Sequence, residues 1–270
     1  MDITLQKSGE TAFYRCTDSA WNGAAHGFST RLGGVSPAPL DSLNLGASRG
    51  DEPERVSENF RRFCVATGTD PNALVKNQQV HGTQIRPVTM EDRMSFPGES
   101  GVVEADGLIT DQPGVCLAVF SADCIPVLLY DPVSRVIAAA HAGWRGTAAG
   151  IAGRAVGMMV KDYGCKAENI LAAIGPGIDA CCFETHRDVP DGLYAGLGEG
   201  AKACIHPIPG TEKFRVDLKR ANVHWLKRAG VLEEHISVCD ACTACRNDLF
   251  WSHRRMGNTR GSMAAVIQLV

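Results

Sequence analysis

The feature that most constrains this chain is a pair of apolar runs, Ile125–Tyr130 and Val136–Ala140, separated only by Asp131-Pro-Val-Ser-Arg135. Each run has the length and composition of a strand, and Asp131-Pro132 marks a tight turn between them. A parallel crossover needs about a dozen or more connecting residues, so these two strands are expected to lie antiparallel. Other short apolar strands are predicted near Leu74–Val80, Val102–Ile109, Val115–Phe120, Asn169–Ile174, Ile236–Val238 and Ala264–Leu269. Three helical patterns are interspersed with them. Glu52–Thr67 places Val56, Phe60, Phe63 and Cys64 on one face, with Asp51 as cap and Pro53 in the first turn. Thr147–Tyr163 is predicted to stop at Gly164, and Asp217 to cap a helix that reaches Ala229 before Gly230. Tight connections among interspersed strands and helices give an α+β fold with a mixed sheet and exclude a simple doubly wound one. The loops Gly33–Leu40 and Met90–Gly101 do not read as interdomain linkers, so residues 1–270 read as one domain.

Charge and composition remove several function classes. The net charge is −3 and the basic runs are short, such as Arg61-Arg62, so no nucleic-acid partner is expected. The opening MDITLQKSGE lacks a basic segment followed by an apolar one, so no secretory signal is read there. No apolar run approaches the ~20 residues of a membrane span; the best, Val115–Tyr130, is interrupted by Ser121-Ala-Asp123. The expectation is a cytoplasmic protein, a monomer or small homo-oligomer. Its eleven cysteines would then be reduced thiols.

Four places carry chemistry. Cys239-Asp-Ala-Cys-Thr-Ala-Cys245 has the spacing of an iron–sulfur or zinc motif. Such a site takes four thiolates or imidazoles, so a fourth ligand would come from His253 or from Cys181-Cys182. No other Cys-x-x-Cys exists in the chain, and the plainer reading is a strand-to-loop segment of small residues. Three quieter positions stand at strand ends or breaks: His81 in Gln-Gln-Val-His-Gly82, Cys124 in Ser-Ala-Asp-Cys124, and His141 in Ala-Ala-Ala-His-Ala-Gly-Trp-Arg-Gly146. Such positions are rigid in the backbone yet open to a cleft, although each residue alone reads equally well as ordinary core. Arg145, before a helix start expected after Gly146, could fork onto an anion. Asp123, a carboxylate between two apolar strands, must be hydrogen-bonded or work near the site.

Taken in order, Phe28-Ser-Thr-Arg-Leu-Gly-Gly-Val-Ser36, Ser42-Leu-Asn-Leu-Gly46, Gln79-Val-His-Gly82, Ala105-Asp-Gly-Leu-Ile-Thr110, Ala122-Asp-Cys-Ile-Pro-Val127 and Ala140-His-Ala-Gly-Trp-Arg-Gly146 resemble successive blocks of the YfiH-like family. Gly175-Pro-Gly-Ile178, Phe183-Glu184, Cys242-Thr243 and Ser252-His-Arg-Arg255 continue the likeness to the end of the chain. This family is also called the laccase-domain, polyphenol oxidoreductase, peptidoglycan editing factor or purine nucleoside phosphorylase family. After Glu184 the family pattern Val-Gly-x-Glu-Val is replaced by Thr185-His-Arg-Asp-Val189. Of the cysteine-rich stretch only Cys242-Thr243 belongs to the pattern, leaving Cys239 and Cys245 as incidental.

The resemblance implies a single-domain layered α/β/β/α sandwich and a zinc site made by His81, Cys124 and His141. It implies phosphorolysis of adenosine, inosine, guanosine and methylthioadenosine, and deamination of adenosine. Two imidazoles and one thiolate leave a fourth tetrahedral position open, as in a catalytic zinc site. Asp123, Asp106 and Glu184 are candidates for shuttling a proton; Arg31, Arg145 and the helix start are candidates for holding phosphate, and Asn44 for a ribose hydroxyl or the base. Copper-dependent oxidation of phenols is the alternative with another metal, but this chain has eight histidines and none in a His-x-His pair. A Cys–His hydrolase, with Cys124 activated by His141 and acting on a cell-wall precursor, is the alternative without one.

Overall fold

The computed structural model describes residues 2–270. Its strands are β1 (Ile3–Ser8), β2 (Thr11–Cys16), β3 (Ala24–Ser29), β4 (Leu74–Lys76), β5 (Ile85–Pro87), β6 (Gly107–Thr110), β7 (Cys116–Ser121), β8 (Ile125–Asp131), β9 (Val136–Ala142), β10 (Leu171–Ile174), β11 (Glu184–Thr185), β12 (Ile205–Pro207), β13 (Phe214–Val216), β14 (Ile236–Val238) and β15 (Met263–Leu269). Its helices are α1 (Pro53–Thr67), α2 (Trp144–Ala148), α3 (Ile151–Tyr163), α4 (Asp188–Leu197), α5 (Leu218–Arg228) and α6 (His253–Met256). One sheet has the order β1-β2-β3-β15-β7-β4, a second β14-β10-β8-β9-β6-β5, and three short strands form a small third. β4–β7, β10–β14 and β5–β6 run parallel while β8–β9 is an antiparallel hairpin, so the main sheets are mixed.

The layering follows from the period of two along each strand. Leu117 and Val119, Leu128 and Tyr130, Ile137 and Ala139, and Ala265 and Ile267 belong to a core between the two large sheets. Their alternates divide to the outer faces. Cys116, Ala118, Ala264 and Val266 pack with Val56, Phe60 and Phe63 of α1. Val127, Leu129, Ala138 and Ala140 pack with residues of α3, α4 and α5. The order helix, sheet, sheet, helix is the layered α/β/β/α arrangement that the resemblance implied. No described helix is long and apolar enough to cross a membrane.

Four local expectations are corrected. The helix predicted over Thr147–Tyr163 begins at Trp144 and divides at Gly150, which adopts φ 79° with the Trp225 ring 3.1 Å from where a Cβ would stand. Asp51 does not cap α1 by its own helix geometry; Glu52 is the cap residue, and Asp51 Oδ2 instead accepts from Ser36 and Asn44. The strand predicted over Leu74–Val80 ends at Lys76, and that over Val102–Ile109 starts only at Gly107. Asn77, Gln78, Gln79 and His81, beyond the first strand, line the cleft described below, and Asp106, just before the second, anchors that segment.

Gly175, just after β10, lies where a Cβ would come within 2.2 Å of the Phe28 ring in the inter-sheet core. Gly175→Ala is therefore expected to overpack this core and destabilise the chain by about 1–3 kcal/mol. A lowered urea midpoint checks this, and an unchanged midpoint contradicts it.

Candidate metal centre and cleft

Strand register assembles the centre. In the β6–β9 pair, Gly107 lies opposite Ala140, so Asp106 stands beside His141, whose N–H donates to the Asp106 carbonyl at 2.7 Å. In the β8–β9 hairpin, Ile125 lies opposite Ala142, which brings Cys124 alongside the residue after β9, Gly143. His81 arrives on the loop between β4 and β5. Asp106 holds that loop: its Oδ1 accepts from the His81 N–H at 2.9 Å, and its Oδ2 from Val80 and Gly82 at 3.1 and 2.7 Å. His141 Nδ1 donates to the same Oδ1 at 2.8 Å, leaving Nε2 as the free ring nitrogen.

The result is a group in which one donor atom each of His81, Cys124 and His141 lies within 4.8 Å of the others. The two imidazole rings meet edge to face, centroids 4.9 Å apart. A Cβ on Gly143 would sit 2.9 Å from His81 Cδ2, 3.3 Å from Cys124 Sγ and 3.7 Å from His141 Cε1. The glycine of the His-Ala-Gly block thus leaves the space in which the three side chains converge. Two imidazoles and a thiol suit zinc, and the Asp106 carboxylate behind His141 is the outer partner that metal-ligating histidines ordinarily have. These residues fit the metal that the resemblance implies.

Electrostatics favour a thiolate–imidazolium pair in the metal-free chain: the thiolate is the ligating form of Cys124, whereas His141 would ligate only on giving up its Nε2 proton. Burial raises the Cys124 thiol, but the imidazoles of His141 and His81 outweigh it and bring the thiol from its ordinary 9.0 to about 6. Burial lowers His141, but the Cys124 thiolate and the Asp106 carboxylate outweigh it and raise the imidazole to about 9. Burial raises Asp106 too, and its hydrogen bonds from His141, Gly82 and Val80 reverse that into a lowered value.

Backbone strain is concentrated here. Among the described residues, His81 (φ 62°) and Asp123 (φ 95°) are two of the three non-glycine residues with positive φ, a conformation costing about 1–3 kcal/mol that surrounding structure must enforce. Asp106 enforces it at His81. At Asp123 the reverse holds: the carboxylate is the anchor, with Oδ1 accepting from Thr243 at 2.6 Å and Oδ2 from Ser252 at 3.1 Å and the Arg254 N–H at 2.7 Å. Asp123 is thus occupied on both oxygens and holds the Cys124 turn in shape. The expected proton carriers are otherwise engaged as well: Asp106 in the bonds above, and Glu184 in an ion pair with Lys213 at 2.6 Å.

The three candidate ligands line a cleft of about 420 Å³, within the range of small-molecule sites. Among the described residues its lining includes Arg49, Lys76 and Arg260, and one acidic residue, Glu99. The sequence reading singled out none of them, and nothing in their spacing marks them. Of the residues expected to bind substrate, Arg31, Asn44 and Arg145 do not line this cleft. Arg31 stacks 3.8 Å over Trp251 and donates to the carbonyls of Asp41 and Asn247. Asn44 is fully buried, its Oδ1 accepting from Gly46 and Ser262, two residues of the cleft wall. Arg145 is exposed and lies over the Trp144 ring.

The chain belongs to the family described as multi-copper polyphenol oxidoreductase laccase, which it matches over residues 25–270. It is 39% identical to the purine nucleoside phosphorylase YlmD of Geobacillus stearothermophilus over 98% of this chain and 97% of that one. To the purine nucleoside phosphorylase YfiH of Escherichia coli K12 it is also 39% identical, over 92% and 95% of the two chains. The crystal structure of the hypothetical protein YfiH of Bacillus licheniformis superposes with a TM-score of 0.91 at 34% identity, covering 98% of this chain and 99% of that one.

Asp106→Asn replaces acceptors by an amide that cannot serve all four donors. It is expected to weaken zinc binding about 10–100-fold, measured by competition with a chromophoric chelator; unchanged affinity would remove Asp106 from this role. In metal-stripped protein, alkylation of Cys124 needs the thiolate, which is present above the lowered pKa. Its rate is expected to climb through about pH 6 and level off well below the ordinary thiol value of 9.0. A rate still rising at pH 8 would contradict the pairing.

Proposed function

We propose that this chain is a zinc-dependent purine nucleoside enzyme that phosphorolyses adenosine, inosine, guanosine and methylthioadenosine. The observation that carries the reading is the convergence of His81, Cys124 and His141 on the wall of a cleft that also presents Arg49 and Arg260. The names of the relatives in Geobacillus and Escherichia point to the same substrate class.

Zinc held by His81, Cys124 and His141 would supply a Lewis acid with one tetrahedral position open. The remaining roles fall to the chain itself. Phosphorolysis joins a phosphate oxygen to the sugar carbon and releases the base, so phosphate must be bound against the sugar and the departing base stabilised. Arg49 and Arg260 are the residues we assign to phosphate, replacing Arg31 and Arg145. Burial, then the neighbouring Arg49, lower Arg260 to about 10, which leaves it charged at neutral pH and poised for an anion. Lys76 is buried, and burial lowers it to about 8. It donates to the carbonyls of Pro97 and Glu99 and so pins the loop that covers one side of the cleft. Asn44 is assigned a supporting part, holding Gly46 and Ser262 in the wall.

The reading includes hydrolytic deamination of adenosine, in which water displaces ammonia at the ring carbon. With Asp106, Asp123 and Glu184 engaged, Glu99 is the carboxylate among the described residues that faces the cleft to carry the proton. A second reading rests on one observation: Cys124, His141 and Asp106 stand in the relation of nucleophile, base and orienting carboxylate. A copper oxidase has less support, since only one of the two metal-competent groups among the described residues contains histidine.

A panel of nucleosides with and without phosphate, read by product mass, tests these readings. Free base with ribose 1-phosphate, lost on chelation and restored by zinc, is the expected outcome, together with inosine from adenosine. Activity that survives chelation and is abolished by iodoacetamide would favour the Cys–His hydrolase, and no turnover at stoichiometric enzyme would overturn a nucleoside function. Arg260→Ala removes a charge-assisted contact worth about 1.5–3 kcal/mol, so the phosphate KM is expected to rise roughly tenfold to a hundredfold.

A further inference from the structure

The second group of metal-competent residues contains no histidine at all. Cys181, Cys182, Cys242 and Cys245 bring four sulfurs within 4.8 Å of one another. Cys181 Sγ is 3.8 Å from Cys182 Sγ and 3.6 Å from Cys245 Sγ, and Cys182 Sγ is 3.4 Å from Cys245 Sγ. A disulfide would place two sulfurs at about 2.05 Å. A regular tetrahedron of thiolates around zinc, with bonds of about 2.3 Å, has edges of about 3.8 Å. We propose that these four cysteines form a second, structural metal site that holds one zinc ion as a tetrathiolate. On binding, each Cys–SH exchanges its proton for a sulfur–zinc bond; one Zn²⁺ and four thiols give a dianionic centre and four released protons, with no change of oxidation state.

The surroundings support this assignment independently of the cleft. The two cysteine pairs lie 60 to 64 residues apart in the chain, on the loops that follow β10 and β14. The apolar cluster holding these loops together has only Ile178, Cys242 and Ala244 as buried members. So small a core needs another tie, and a metal clip closing a long loop is an effective one. Cations gather around the place where the negative charge would appear, each fixed to carbonyls of the same two loops. Arg254 donates to Cys182 and Glu184, Arg255 to Ala244, and the buried Lys219 to Cys239 and Ala241 while pairing with Asp179 at 2.7 Å. The Asp179 N–H points at Cys242 Sγ from 3.4 Å, the kind of N–H to sulfur contact that supports a thiolate ligand.

The position gives the site a purpose. Thr243, beside Cys242, donates to the Asp123 carboxylate that shapes the Cys124 turn. A tetrathiolate would fix Thr243, and through it the turn presenting Cys124. Cys245 therefore does not stay incidental, and the cysteine-rich stretch supplies half of a metal site through Cys242 and Cys245, with Cys181-Cys182 completing it. Cys239 stays outside; it is buried in the inter-sheet core.

The test is the zinc content of the full chain purified without chelator or added metal. His81→Ala with His141→Ala removes the cleft centre, and this variant is expected to retain one zinc per chain. Adding Cys181→Ser and Cys245→Ser, both exposed positions, is expected to remove it. In the unmutated protein, labelling of Cys181 and Cys245 by iodoacetamide is expected to be slow and to accelerate at least about tenfold when a strong chelator is added. Zinc retained by the cysteine variant, rapid labelling without chelator, iron in place of zinc, or a disulfide among these four in the unreduced protein would each overturn the proposal.

Discussion

The buried carboxylate of Asp106 is the interaction on which the cleft depends. Alone in an apolar interior it would be strongly disfavoured. Here it accepts hydrogen bonds from three successive backbone N–H groups and from His141. Those bonds do three things together. They force His81 into a left-handed conformation, they set the His141 ring with one nitrogen free, and they join the β4–β5 loop to the end of β9. Without the carboxylate, nothing else among these contacts holds His81 to His141.

Cys124 is held by a different device. The β8–β9 hairpin fixes where it stands, and Asp123, strained in its backbone and bonded on both oxygens, fixes how it is turned. Each candidate ligand thus has a carboxylate in the adjoining structure acting on its backbone or ring. This division explains why Asp106 and Asp123, both reasonable proton carriers on sequence grounds, are better placed as supports, and why a third carboxylate, Glu99, is left to face the cleft.

Much of the fold was legible because apolar periodicity reports burial. β14 matches its prediction, and α1, α5 and the β8–β9 hairpin match theirs to within a residue or two at their ends. The N-terminal strands β1–β3 escaped notice for physical reasons. β1 is a largely exposed edge strand, and β3 is written with Ala, His and Gly, which do not read as strand formers. The division of α2 from α3 turns on Trp225, distant in sequence, filling the space over Gly150. The three candidate ligands were named from family resemblance, since separations this long carry no spacing signal of their own; the structure brings them within 4.8 Å of one another. Arg49, Lys76 and Arg260 left no mark, because a basic residue becomes a cleft residue only when loops from opposite ends of the chain are brought together.

The most direct measurement of the central claim is anomalous scattering at the zinc absorption edge from crystals of protein shown to be active on inosine. The arrangement described here predicts an anomalous peak bonded to His81, Cys124 and His141, with His141 still paired to Asp106. Full activity with no metal among those three side chains, and Cys124 in direct contact with His141, would contradict it.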